Sequence, residues 1–139
     1  MNEQLPVTFT SSQVSGAGRG KKIGVPTINM VIPQALSLDD GIYAATITIS
    51  NTTFIAAVHL GPVPTYAQEK RSLEAHIIDL EDTKNLDTLL DTSDSFNVTI
   101  LKYIRPIQHF SSTEALVQQI QEDVKTVRSI CSKLIYSEQ

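Results

Sequence analysis

The chain has 139 residues, 41% hydrophobic and 19% charged, with a formal net charge of −4. That length suits one domain with a real core, and the composition excludes an extended disordered chain. The acidic balance excludes a general electrostatic grip on nucleic acid, which needs a basic face. One cysteine, Cys131, leaves no internal disulfide to form, and His59, His76 and His109 lack metal-ligand spacing. The opening MNEQLPVTFT has neither a basic leader nor an apolar core, and no apolar run reaches membrane-spanning length. A cytoplasmic protein without membrane or nucleic-acid partners is therefore expected, monomeric in the simplest reading.

In chain order, VTFTSSQVS (7–15) alternates loosely and predicts a first strand. A glycine-rich basic stretch, GAGRGKKIGVPTINM (16–30), follows. IYAATITI (42–49) and TFIAAVHL (53–60) flank SNT, a short polar turn signal, and predict a hairpin. SLEAHIIDL (72–80) predicts a strand with Leu73 and Ala75 on one face and Glu74 and His76 on the other. The segment 81–95 is polar and irregular, with one short helical turn at LDTLL. FNVTILKYI (96–104) puts Phe96, Val98 and Ile100 on one side. Beyond it, Leu116, Val117, Ile120, Val124, Val127, Ile130, Cys131 and Leu134 recur at spacings of three and four. Ser111 with Glu114 fits a capping box opening that helix. Strands joined by turns and followed by one long amphipathic helix predict an antiparallel meander or closed barrel covered by the helix.

The glycine-rich stretch carries the chemistry. Gly16, Gly18, Gly20 and Gly24 let backbone amides turn toward a common point, and Arg19, Lys21 and Lys22, three of eleven cations, can neutralise an anion. Neither a P-loop nor a dinucleotide fingerprint closes in any register. Pro26 fixes its own φ and extends Val25, which presents Thr27 and Asn29 on one side of a strand. Neutral hydroxyl and amide oxygens suit Mg²⁺ that also leans on phosphate.

GRGKKIGVPTINM resembles the riboflavin kinase signature G-R-G-x-x-[LI]-G-[FIV]-P-T-A-N. LEAHIIDL is similar to that family's L-E-V-H strand, and YIRPIQHFSSTEALVQQIQEDV to its run into the last helix. The resemblance implies a single domain over 1–139, mainly β, with a six-stranded antiparallel closed barrel and a long C-terminal helix. It implies transfer of the γ-phosphate of ATP to the riboflavin 5′-hydroxyl, giving FMN and ADP, with Mg²⁺ as cofactor. Carried over by position, Glu74 is the general base and Thr27 and Asn29 hold metal and phosphate. Gly18, Arg19, Gly20, Lys21, Gly24 and Pro26 belong to the nucleotide loop, and Arg105 to Phe110 to the segment closing over the flavin.

The chain departs from that pattern in two places. The family's acidic turn ending in Tyr-Gly is replaced by the longer DLEDTKNLDTLLDTSDSF, and GPVPTY lacks the arginine of bacterial relatives. Such relatives are often fused to an FMN adenylyltransferase domain, which nothing here resembles. A non-catalytic flavin- or nucleotide-binding barrel is the alternative function, favoured by the altered 81–95 segment. A nucleic-acid-binding barrel ranks last, given the net charge of −4 and 6% aromatics. Residues outside the motifs have plainer readings: Cys131 as core, Glu122 and Asp123 as a charged helix face, and Arg128 as solvent-facing. Arg105 and Phe110 equally fit a strand-end cation and a core aromatic.

Overall fold

The structure, a computed structural model, describes residues 5–14, 27–62, 71–78 and 83–137, with backbone alone at 83–85, 92 and 134–137. Its elements are β1 (Val7–Ser11), β2 (Thr27–Met30), β3 (Gly41–Ile49), β4 (Thr52–Pro62), β5 (Arg71–Ile77), α1 (Thr83–Thr92), β6 (Phe96–Arg105) and α2 (Thr113–Ser137). The six strands form one sheet in the order β1-β6-β3-β4-β5-β2, and every pair is antiparallel. The β3–β4 hairpin turns at Ser50 and Asn51, whose φ values of 48° and 69° are the left-handed backbone conformation through which a two-residue turn matches the right-handed twist of its strands.

The expectation of a closed barrel is corrected: the sheet is an open half-barrel. β1 and β2 are its two edges, and no ladder joins them along their length. Among the described residues they meet at one end, where Gln13 and Met30 form an isolated bridge, Ser11 Oγ donates to Val31 O at 2.6 Å, Val14 N donates to Asn29 O and Val31 N to Ser12 O.

Strand alternation divides the sheet into two faces. The concave face buries Ile28, Tyr43, Ile47, Val58, Leu73, Val98 and their neighbours, with Leu86, Leu89 and Leu90 of α1 packed against them. The segment read as one helical turn at LDTLL is thus a ten-residue helix, because its leucines repeat at helical spacing over this core. The outer face carries a second cluster of Ala44, Ala57, Ile78, Val127 and Cys131. Ala44 and Ala57 are direct cross-strand partners. Their small side chains let α2 lie close on the sheet, with Val127 and Cys131 fully buried. Cys131 is core, as its helix position implies.

The cap of α2 lies one residue from its expected place. Ser112 Oγ accepts from Ala115 N at 3.1 Å, and Leu116 N donates to Ser112 O at 3.2 Å. Ser112 is therefore the N-cap, and Glu114 is left to interact with the helix dipole in the first turn. No described helix is long and apolar enough to cross a membrane.

Candidate active site

β2, β5 and β4 bring the polar residues of the outer face together. In the β2–β5 ladder Asn29 stands opposite Glu74, and Thr27 opposite His76. In the β4–β5 ladder Glu74 stands opposite His59, and His76 opposite Ala57. Asn29, Glu74 and His59 thus form one row across three strands, and Thr27, His76 and Ala57 the next. The alternation that buries Ile28, Leu73 and Ala75 in the core is what turns these side chains outward.

The row continues across the sheet, since His59 is also opposite Ile42, and Ile42 opposite Arg105 past an irregularity in the β3–β6 ladder. Arg105 is committed to α2. Its Nε donates to Asp123 Oδ1 at 2.9 Å and its Nη2 to Asp123 Oδ2 at 2.7 Å, with Nη1 donating to Pro106 O at 3.0 Å. Gln119 Nε2 donates to Asp123 Oδ1 at 3.1 Å. This is a two-pronged ion pair with little solvent access.

The imidazoles are held neutral. Burial pushes the His76 ring down to about 4, against the upward pull of the Asp123 carboxylate and with a smaller push from Arg105. Its Nε2 lies 3.7 Å from Glu74 Oε1, too far for a hydrogen bond, so with a neutral ring this is a polar contact and not an ion pair. Burial also lowers His59, opposed by the Glu74 carboxylate. Both nitrogens of His59, and Nδ1 of His76, are buried without a hydrogen-bond partner.

The structure brings together Thr27, Asn29 and Glu74 of the residues expected from the sequence. Gly18, Arg19, Gly20, Lys21, Gly24 and Pro26 lie outside the described residues. Arg105 is anchored away from solvent by Asp123, and Phe110 is half-buried in the segment that leads to α2. Asp123 departs from its expected place on a solvated helix face: it is 6% exposed. The periodicity contained that signal, because 123 lies three residues after Ile120 and four before Val127, on the buried stripe. His59, weighed in the sequence only as a metal ligand, enters the site through the β4–β5 register, which sets it opposite Glu74.

Thr27 and Asn29 offer neutral oxygens beside the Glu74 carboxylate, a donor set that fits Mg²⁺ shared with phosphate oxygens. Among the described residues there is no His, Cys, Asp and Glu cluster of the kind that holds a metal by protein ligands alone.

The family model described as Flavokinase, riboflavin kinase, matches residues 3–131. The chain belongs to the riboflavin kinase family. The riboflavin kinase of Mus musculus is 32% identical over 130 residues, covering 89% of this chain and 80% of the relative. A trifunctional protein of Mycoplasmoides gallisepticum is 26% identical, and this chain spans 92% of itself but 19% of that relative. The bifunctional riboflavin kinase/FMN adenylyltransferase of Buchnera aphidicola is 29% identical, and this chain spans 38% of its length. A solved structure described as a macrolide-efflux protein from Streptococcus pneumoniae superposes with a TM-score of 0.70 at 27% identity, over 88% of this chain and 38% of that one. As a riboflavin kinase family member, the chain has its Thr27–Asn29 and Glu74 motif residues on one face of one sheet.

Proposed function

We propose that this chain is a riboflavin kinase that transfers the γ-phosphate of ATP to the riboflavin 5′-hydroxyl, giving FMN and ADP. The observation that carries the reading is the β2–β5 register, which sets Asn29 directly opposite Glu74 with Thr27 on the same face of β2. Two motifs separated by more than forty residues meet there.

Glu74 takes the proton of the 5′-hydroxyl as the new O–P bond forms and the bond from the γ-phosphorus to the bridging oxygen of ADP breaks. Its place between Asn29 and His59 orients the carboxylate across the strand row. Thr27 and Asn29 would hold Mg²⁺, which supplies charge neutralisation on the phosphates. Gly18, Arg19, Gly20, Lys21, Gly24 and Pro26 form the nucleotide loop in this reading. Arg105 serves the flavin side indirectly: bound to Asp123, it fixes the start of the segment carrying Phe110 to α2.

The chain works as one monomeric kinase domain in the cytoplasm, where ATP is available. FMN adenylylation falls to a separate or covalently attached adenylyltransferase, as the bifunctional relatives' names suggest. The test is incubation with riboflavin, ATP and Mg²⁺, followed by chromatographic separation of FMN. The parent is expected to form FMN and Glu74→Gln to lose nearly all of it. Flavin binding without FMN formation by the parent would replace the kinase with a non-catalytic flavin-binding protein.

A further inference from the structure

His59 lies outside the motifs that carry the family resemblance, and its hydrogen-bonding capacity is unused. Neither Nδ1 nor Nε2 makes a hydrogen bond of good geometry, although both atoms are shut off from solvent; the ring's own backbone carbonyl lies near enough only to favour the protonated form weakly. Leaving a buried donor and acceptor unmade is unfavourable, and such groups in a folded protein call for a physical account. The ring's position is fixed by the sheet. β4 holds it between Glu74 on β5 and Ile42 on β3, and Asn29 on β2 stands beyond Glu74. Asn29, Glu74 and His59 therefore succeed one another at the strand spacing of about 4.8 Å.

The charged and titratable groups around this ring are Glu74 and His76 on β5 and Arg105 on β6, with Asp123 of α2 bound to Arg105. Burial outweighs the attraction of Glu74, so the ring is neutral. A neutral imidazole presents one N–H donor and one nitrogen acceptor. A phosphate group only accepts and would favour a protonated ring, which burial opposes. The face of an aromatic ring would leave both nitrogens unmade. A hydroxyl both donates and accepts, and a polyol supplies several in a chain.

We propose that His59 hydrogen-bonds the polyhydroxyl tail of the acceptor substrate, holding a hydroxyl further along the chain from the one that Glu74 deprotonates. The inference rests on the riboflavin kinase reading and deepens it. Asn29 and Glu74, which precede His59 along the row, are half-buried, and His59 itself is not fully buried, so this end of the row is the side from which a tail would come. His59 thereby selects flavins that carry an intact polyol chain over bare flavin rings.

His59→Phe keeps the ring's bulk and removes both nitrogens, whereas His59→Asn keeps a donor and an acceptor. Two measurements apply: steady-state kinetics with riboflavin and ATP varied separately, and fluorescence binding of riboflavin and of lumiflavin, which lacks the polyol. Loss of these hydrogen bonds in His59→Phe is expected to raise the riboflavin KM about tenfold, with the ATP KM and lumiflavin affinity unchanged. His59→Asn should recover most of the riboflavin affinity. A riboflavin KM unchanged within about twofold would overturn the inference, as that is less than one hydrogen bond contributes. Equal weakening of both flavins would also overturn it, because that marks a packing role. Thermal melts accompany each variant, and His59→Leu replaces His59→Phe if the latter does not fold. A parent protein that makes no FMN refutes the kinase reading instead, and the two-flavin comparison then still decides the role of His59.

Discussion

Removing Arg105 should destabilise the protein far more than removing an ordinary surface cation. The Arg105 and Asp123 side chains are only 16% and 9% exposed, and two hydrogen bonds of 2.9 and 2.7 Å join them. Arg105→Ala deletes both and leaves the Asp123 carboxylate buried, with Gln119 as its remaining side-chain donor. Breaking a buried pair from one side costs about 3–5 kcal/mol, because a buried charge is left uncompensated. Asp123→Asn keeps the shape and a neutral acceptor, and should cost about 2 kcal/mol. Replacing both together, Arg105→Met with Asp123→Leu, removes the stranded charge and should cost less than Arg105→Ala alone. Urea denaturation of the four proteins at neutral pH compares these costs, and the single variants Arg105→Met and Asp123→Leu close the double-mutant cycle. A cost below about 1 kcal/mol for Arg105→Ala, the range of exposed pairs, would refute the account of this contact.

Gly61 has a φ of 140°, and a Cβ there would meet Ile107 Cδ1 at 2.5 Å and Asp40 Cγ at 3.0 Å. Gly61→Ala should therefore cost about 1–3 kcal/mol, push the segment carrying Ile107 and Phe110 off the sheet, and raise the riboflavin KM more than the ATP KM. Equal KM values in parent and variant would separate that segment from flavin binding. The folded pKa of His76, about 4, lies below its ordinary 6.5, so the unfolded chain takes up a proton first as pH falls. This contribution to stability is complete above the ordinary value and is lost through the window between 6.5 and about 4. From about pH 7 to about pH 5 it amounts to roughly 2 kcal/mol, and His76→Gln should flatten the urea-measured pH profile there. Parallel profiles for the two proteins would contradict the buried, neutral assignment.

Much of this arrangement was legible in the sequence because it follows from local periodicity. The alternation of Leu73, Glu74, Ala75 and His76 set the two faces of β5, and the three-and-four spacing of Val124, Val127 and Cys131 set the buried stripe of α2. Long-range register was not legible. The pairing of Glu74 with His59 depends on how β4 and β5 align, and the sequence between them carries no two-residue turn to fix that alignment. Asp123 was misplaced for a different reason: residue type outweighed position, and the partner that makes its burial tolerable, Arg105, is eighteen residues away. The open edge of the half-barrel was also hidden, because whether the edge strands β1 and β2 pair with each other is a matter of long-range register.

The most direct test of the central claim is to follow labelled phosphate. The protein is incubated with ATP labelled at the γ-position, Mg²⁺ and riboflavin, and the flavins are then separated. Label in FMN that depends on Glu74 is the predicted result. Label remaining in ATP, or released as inorganic phosphate while bound flavin stays unphosphorylated, would contradict it.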